Sequence, residues 1–193
     1  MNRLLFGILV AILGVAAVFS NTAGQQLYYV EGAQLSSALF LGTQKTGGWN
    51  PRECQRLLRE SHRLTRGEKL VLIVRKWDRL SMWRDDDDTY ENLSIEIDNP
   101  EFGPPIQIGG LNIQLHYSSG RTHGVGRCEG VFSTTGSGYL ILSKAQAGKL
   151  IAKFDVSLRP QDVATFAARD TISIRSSFTF DPVSLEFLQA GLG

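Results

Sequence analysis

The stretch 150-LIAKFDVSL-158 decides the fold class, because it is the longest run with an apolar residue at every second position. Leu150, Ala152, Phe154, Val156 and Leu158 occupy every second position. A period of two places these side chains on one face of a β-strand, with the intervening residues on the other face. One buried face and one wet face are typical of an antiparallel sheet. The run therefore predicts a mainly β protein.

Similar alternation recurs along the chain. It is found at Leu93, Ile95, Ile97; at Leu111, Ile113, Leu115, Tyr117; and at Ile172, Ile174, Ser176, Phe178, Phe180. Further strands are predicted at 34–41, 69–77, 126–133 and 138–142, with Gly, Pro and Ser clusters between strands. About eight to ten short strands at this spacing predict a single antiparallel β-sandwich, or a barrel-like domain, over residues 21–193.

One amphipathic α-helix is predicted to pack on this domain. Asn50 is a suitable cap, Pro51 suits the first helical position and Glu53 completes a capping box. We expect the helix to extend to about Thr65 and to end at Gly67, with Cys54 facing the core. A second short helix is predicted as a connector at 161–168.

The first twenty residues form an apolar leader. Arg3 precedes an unbroken apolar run from Leu4 to Phe19, and small and polar residues follow. This layout is typical of a secretory signal peptide, so residues 1–20 are predicted to direct export to the periplasm or outside the cell. The flanks favour cleavage. The alternative is an uncleaved N-terminal helix that anchors the protein and contacts the membrane through residues 4–19.

Export sets expectations for the two cysteines and for partners. In an oxidising compartment, Cys54 and Cys128 are predicted to form a disulfide; the alternative is two buried thiols. The chain has 20 basic and 19 acidic residues, which argues against a nucleic-acid partner, since such proteins are normally basic.

Although the net charge of the chain is close to zero, basic and acidic residues are concentrated in separate segments. Residues 45–84 contain eleven basic and four acidic residues, and residues 85–101 contain eight acidic residues and no basic one. On the predicted helix, one narrow stripe is formed by Arg52, Arg56, Arg59, Arg63 and Arg66. Internal pairing of the stripe with the acidic segment, or plain solvation, is one interpretation. The other is an external anion: a partner protein, an acidic glycan or lipid headgroups in the cell envelope.

The acidic segment can also be interpreted as a calcium site. Its plausible oxygen donors are Asp85, Asp87, Glu91 and Asp98. The spacing departs from the EF-hand pattern, and runs of Asp are common in solvated turns. No other cofactor is expected.

No motif that specifies a reaction is present, so no catalytic residue is assigned. The sequence favours an exported, non-enzymatic binding or interaction module of the cell envelope or the secreted fraction. The alternatives are an exported hydrolase, with or without a metal ion at 85–88, and a membrane-anchored protein that places the arginine stripe on anionic headgroups.

Overall fold

The computed structural model describes residues 23–35, 63–79, 88–122, 128–163 and 165–190. The protein is mainly β, as predicted, and its strands form one sheet of ten. In chain order they are β1 (Ala23–Leu35), β2 (Leu64–Arg79), β3 (Asp88–Ile97), β4 (Pro105–Ile108), β5 (Ile113–Thr122), β6 (Cys128–Ser133), β7 (Gly136–Lys144), β8 (Leu150–Leu158), β9 (Gln161–Asp162) and β10 (Ile172–Pro182). Within the described ranges, one α-helix is present, α1 (Leu185–Ala190).

The sheet has two halves that meet at a short junction. Its strand order is β4-β7-β8-β10-β1-β2-β3-β5-β6-β9, and neighbouring strands are antiparallel except at β10 and β1. Those two strands run parallel and pair only at Tyr28 with Asp181 and at Tyr29 with Pro182. The junction between the halves is therefore only two residue pairs long, the same length as the pairing of β6 with β9.

The largest hydrophobic cluster draws on both halves. Leu72, Ile95 and Leu115 contribute from β2, β3 and β5, while Phe154 and Phe180 contribute from β8 and β10. On β8 the even-numbered residues are buried, as the alternation predicts. Because one face of each half supplies this cluster, the two halves share a core.

A second cluster lies on the opposite face of β1 and β2. Val30, Val71 and Ile73 pack there with Leu188 of α1. Residues 71–74 of β2 are consequently buried on both faces, which makes β2 a central strand.

Three local expectations were wrong. Leu64, Thr65 and Arg66, which we predicted to end a helix, begin β2. Leu111 lies in the turn before β5 and is fully exposed, so the buried alternation begins at Ile113. The connector predicted as helical at 161–168 holds the two-residue strand β9 and a turn.

The N-terminal strand is the largest element that the sequence analysis did not predict. β1 covers Ala23–Leu35, whereas only Gln34 and Leu35 of the strand predicted at 34–41 lie in it. The leader at 1–20, the remainder of that predicted strand and residues 50–62 of the predicted helix lie outside the described residues. In the part of the chain that is described, no helix has the length and apolar character needed to cross a membrane.

Candidate functional site

The predicted arginine stripe is only partly within the described structure. Arg52, Arg56 and Arg59 lie outside it, whereas Arg63 is exposed just before β2 and Arg66 lies in β2. The Arg66 side chain is highly exposed, with Nη2 3.9 Å from Oε1 of Glu186. The stripe therefore does not continue along a helix to Arg66, and an anion-binding role for its members stays a prediction.

The four proposed calcium ligands are not brought together by the described strands. Asp85 and Asp87 lie outside the described residues, Glu91 lies in β3 and Asp98 follows the end of that strand. Six residues of extended chain lie between Glu91 and Asp98 and separate them by about 20 Å, which is too far for both to bind one ion. Across the described ranges, no cluster of three or more His, Cys, Asp or Glu residues suited to a metal ion is found.

The two cysteines are likewise divided by what the structure describes. Cys54 lies outside the described residues, and Cys128 is the first residue of β6, in register with Thr122. The disulfide between Cys54 and Cys128 stays a prediction.

The separated charges meet where β2 pairs with β3, and two lysines of β2 contact two glutamates of β3. Lys76 lies opposite Glu91, and its Nζ is 3.2 Å from Oε2 of Glu91. Nearer the other end of β3, Nζ of Lys69 is 2.5 Å from Oε1 of Glu96. Internal pairing therefore accounts for part of the charge separation seen in the sequence.

The exposed pair extends into a short polar network. The Tyr117 hydroxyl donates a hydrogen bond to Oε1 of Glu91 at 3.2 Å, so both carboxylate oxygens of Glu91 have partners. Burial is the main cause that raises the pKa of Tyr117 to about 12, and the negative charge of Glu91 adds to it. Tyr117 is therefore a hydrogen-bond donor at neutral pH and is not suited to act as a base.

The second pair is buried at its carboxylate. Glu96 is 2% exposed, and its Oε2 accepts a hydrogen bond of 2.5 Å from the backbone N–H of Leu35. The hydrogen bond from Lys69 to Glu96 is the main cause that raises the pKa of Lys69, although burial partly opposes it. The pair ties β1, β2 and β3 together beside the bulge where Ala33 faces both Arg66 and Lys69.

The carboxylates of both pairs have hydrogen-bond partners within the protein. Among the described residues, no buried side-chain nitrogen or oxygen lacks a hydrogen-bond partner. A catalytic or ligand-binding site normally presents polar groups that await substrate. The two lysine–glutamate pairs therefore act as contacts between neighbouring strands.

The strongest candidate is the edge of β10 that faces away from β8. Residues 172–180 pair with β8 along one edge, but only Asp181 and Pro182 pair with β1 on the other. Over the ranges that the structure describes, no strand pairs with the second edge of Ile172–Phe180. Backbone N–H and C=O groups on such an edge are a template for another strand.

The side chains along this edge leave the shared core incomplete. Ile172, Ile174 and Phe178 face the core from β10 but are only partly buried. Their antiparallel neighbours Leu158, Val156 and Ala152 on β8 are at most 1% exposed. Ser176 also lies in the core-facing row and is exposed. An added strand would bury this row in the way that β8 is buried.

The two terminal strands of the sheet, β4 and β9, are protected in ways that β10 is not, and the edge of β1 that faces β10 is likewise paired only at Tyr28 and Tyr29. β4 has four residues and begins with Pro105, while β9 has two residues. Short edge strands and proline are common protections against unwanted pairing. In β10, positions 172–180 contain neither Pro nor Lys, and the single charge there, Arg175, contacts Asp155 at 3.1 Å.

Sequence reasoning identified the β10 strand but not its open edge. Alternation indicates which side chains face the core, whereas the number of neighbouring strands depends on pairing between distant segments. The only sequence signal was the absence of edge-protecting residues between Ile172 and Phe180. That signal is weak in isolation, because a central strand also lacks such residues.

No protein-family model, curated protein or solved structure matches the chain. Any assignment of function therefore rests on the geometry of the structure.

Proposed function

We propose that this protein is an exported, non-enzymatic interaction module that contacts its partner through the open edge of β10. The observation that supports this most directly is that no described strand pairs with the second edge of Ile172–Phe180, beside a core-facing row that is only partly buried. Hydrogen bonding of an extended segment to this edge would provide affinity, and burial of its alternate side chains would provide specificity.

The finer architecture that fits this proposal is a β-sandwich. Its support is the shared cluster, to which one face of each half of the sheet contributes. A ten-stranded sheet that folds over itself at the short β10–β1 junction would place those faces against each other. In that arrangement β10 and β1 diverge from Asp181 and Tyr28, and the open edge of β10 borders the core.

Export is part of the same proposal and rests on the apolar leader at 1–20. An exported location favours a protein or an anionic glycan of the cell envelope as the partner and disfavours nucleic acid. The intact mass of the protein isolated from its own cells tests this. Loss of the leader supports cleavage, a retained leader in the membrane fraction supports the anchor, and a cytoplasmic full-length chain contradicts export.

The hydrolase alternative gains no support from the described residues. No cluster of metal-ligating side chains is found among them, and Glu91 and Glu96 are each bound by a lysine. The alternative in which arginines contact headgroups keeps the exposed Arg63 and Arg66 as its only described members. We therefore place the interaction at β10.

A strand-shaped peptide tests whether the edge accepts a partner. A suitable probe is a labelled peptide with the sequence of residues 150–158, because that sequence already pairs with β10 in the folded protein. We expect it to bind the full chain and expect Ser176→Lys to weaken binding at least about tenfold, since an inward-facing charge is a common protection of edge strands.

The matched control is Ser143→Lys. Ser143 is also exposed, but it lies in β7 in the row that faces away from the core. This variant should bind the peptide like the unmodified protein. A peptide that does not bind, or that binds equally to the Ser176→Lys protein, would contradict the proposed function.

A further inference from the structure

The core-facing row of β10 is self-complementary when the strand is paired with a copy of itself. The row reads Ile172, Ile174, Ser176, Phe178, Phe180, with the small polar residue at its centre and large apolar residues on both sides. An antiparallel pair related by a twofold axis perpendicular to the sheet keeps core-facing residues opposite core-facing residues. The composition of the row therefore allows pairing of two identical strands.

We propose that a second copy of this chain occupies the open edge, with the two β10 strands antiparallel and Ser176 opposite Ser176. The proposal rests on the proposed function, because it names the partner of that edge. In this register Ile174 lies opposite Phe178 of the second copy, and Ile172 lies opposite Phe180. Every large apolar residue of the row thus meets another one.

Neighbouring registers are less favourable. A pairing centred on Arg175 places two arginines directly opposite each other and sets Ile174 against Ser176. A pairing centred on Ser177 sets Ser176 against Phe178. Like charges opposite each other are destabilising, whereas aromatic and β-branched residues opposite each other are favourable. The register centred on Ser176 avoids the arginine pair and places Arg175 opposite Ser177.

The charges on the face of β10 that points away from the core are compatible with the register centred on Ser176. Arg175 Nε donates to Oδ1 of Asp155 at 3.1 Å within the same chain, so its charge is already partnered before a second strand arrives. The outer row of β10 is otherwise made of Ser173, Ser177 and Thr179, which are uncharged. No charged residue of β10 between positions 172 and 180 would thus be buried without a partner on association.

A charge-swap experiment tests the proposal. Full-length protein, kept in mild detergent, is prepared unmodified and as the Ser176→Lys and Ser176→Glu variants, and mass in solution is measured by sedimentation over a concentration series. We expect the unmodified protein to form dimers and each variant to lose them, because identical charges would face each other at the twofold axis. An equimolar mixture of the two variants should regain the dimer.

Restored association also shows that the variants are folded, since misfolded chains would not recover a defined dimer on mixing. Ser143→Lys serves as the control and should dimerise like the unmodified protein. An unmodified protein that stays monomeric at every concentration would overturn the proposal, and so would a mixture of variants that stays monomeric.

The strand peptide separates this proposal from the proposed function. A monomeric protein that still binds the peptide of residues 150–158 at β10 would refute the dimer and retain an interaction module for extended segments of other proteins. A protein that neither dimerises nor binds the peptide would refute both.

Discussion

Two lysine–glutamate pairs join the same two strands and differ mainly in burial. Glu96 is buried and depends on Lys69, whereas the side chains of Lys76 and Glu91 are 48% and 36% exposed. Removing Lys69 leaves the buried charge of Glu96 with the N–H of Leu35 but without a counter-charge, and water does not reach it freely. Water replaces the lost partner of an exposed pair at little cost. The two pairs therefore allow the energetic effect of burying an ion pair to be compared within one protein.

We therefore predict that Lys69→Met lowers the free energy of unfolding by about 3 kcal/mol. Lys76→Met, its matched control, should lower it by less than about 1 kcal/mol. Urea titration measures both values. Equal losses in the two variants would show that the burial of Glu96 has no energetic consequence.

Ionisation of Tyr117 should weaken the fold at alkaline pH. Its pKa is about 12 in the folded protein, compared with about 10 for an unperturbed tyrosine. A group with a raised pKa in the folded state contributes stability below the unfolded value, and that contribution is lost as the pH rises through the folded value. The loss should therefore fall between about pH 10 and pH 12.

Replacement of the phenol tests this assignment. Tyr117→Phe should cost about 1 kcal/mol at neutral pH through the lost hydrogen bond to Glu91, yet it should reduce the stability lost between pH 10 and pH 12. Denaturant midpoints at neutral and alkaline pH provide the measurement, with the exposed Tyr139 replaced by Phe as the control. A pH dependence unchanged by Tyr117→Phe would exclude this phenol as a cause.

Single residues show both the strength and the limit of sequence reasoning. Alternation correctly places Leu93, Ile95 and Phe154 in the core, because the period of a strand is a local property. The same pattern failed at Leu111, where the chain turns before β5 begins. Glu91 was considered as a calcium ligand because the sequence does not show that Lys76 lies opposite it.

At the scale of elements, the close approach of β7 to β8 depends on glycine. Gly138 has a φ of +112°, and a Cβ atom there would lie 2.0 Å from the backbone oxygen of Asp155. Gly103 has a similar φ of +103°, but a Cβ atom there would meet no atom within 4 Å. Replacing either glycine by a residue with a side chain would therefore strain the backbone at positive φ, but only at Gly138 would it also cause a steric clash.

We expect Gly103→Ala to lower stability by about 1–3 kcal/mol, the usual cost of strained backbone at a residue other than glycine. Gly138→Ala should cost distinctly more, because β7 must move away from β8 to relieve the clash with Asp155. Thermal unfolding of the two variants provides the comparison. Equal melting temperatures would mean that the strands separate without cost at this position.

The helix boundaries that the sequence predicted wrongly have local causes. Gly67 was interpreted as the end of a helix, but it lies within β2 at the bulge, where a Cβ atom would lie 2.9 Å from the side chain of Gln34. Asp162 accepts a hydrogen bond from the N–H of Thr165, as a helix cap does. Phe166 then adopts a φ of +57°, which ends the turn and lets its ring pack against Phe132.

At the scale of the whole molecule, the strand order could not be predicted from the sequence. The mainly β class and most strands follow from local alternation, whereas the ten-stranded order places β10 beside β1 across most of the chain length. Such pairing depends on contacts between distant segments, which no local pattern encodes. The candidate site was missed for the same reason, because the described strands that flank β10 are known only once the strand order is known.

Amide hydrogen exchange along β10 tests the central claim most directly. In the monomeric Ser176→Lys protein, we expect alternate amides between Ile172 and Phe180 to exchange slowly because they bond to β8, and the intervening amides to exchange rapidly because they face the open edge. In the unmodified protein at a concentration that favours association, all of these amides should exchange slowly. Uniformly slow exchange in the variant, or rapid exchange of the same alternate amides in the unmodified protein, would contradict an open edge that a second copy occupies.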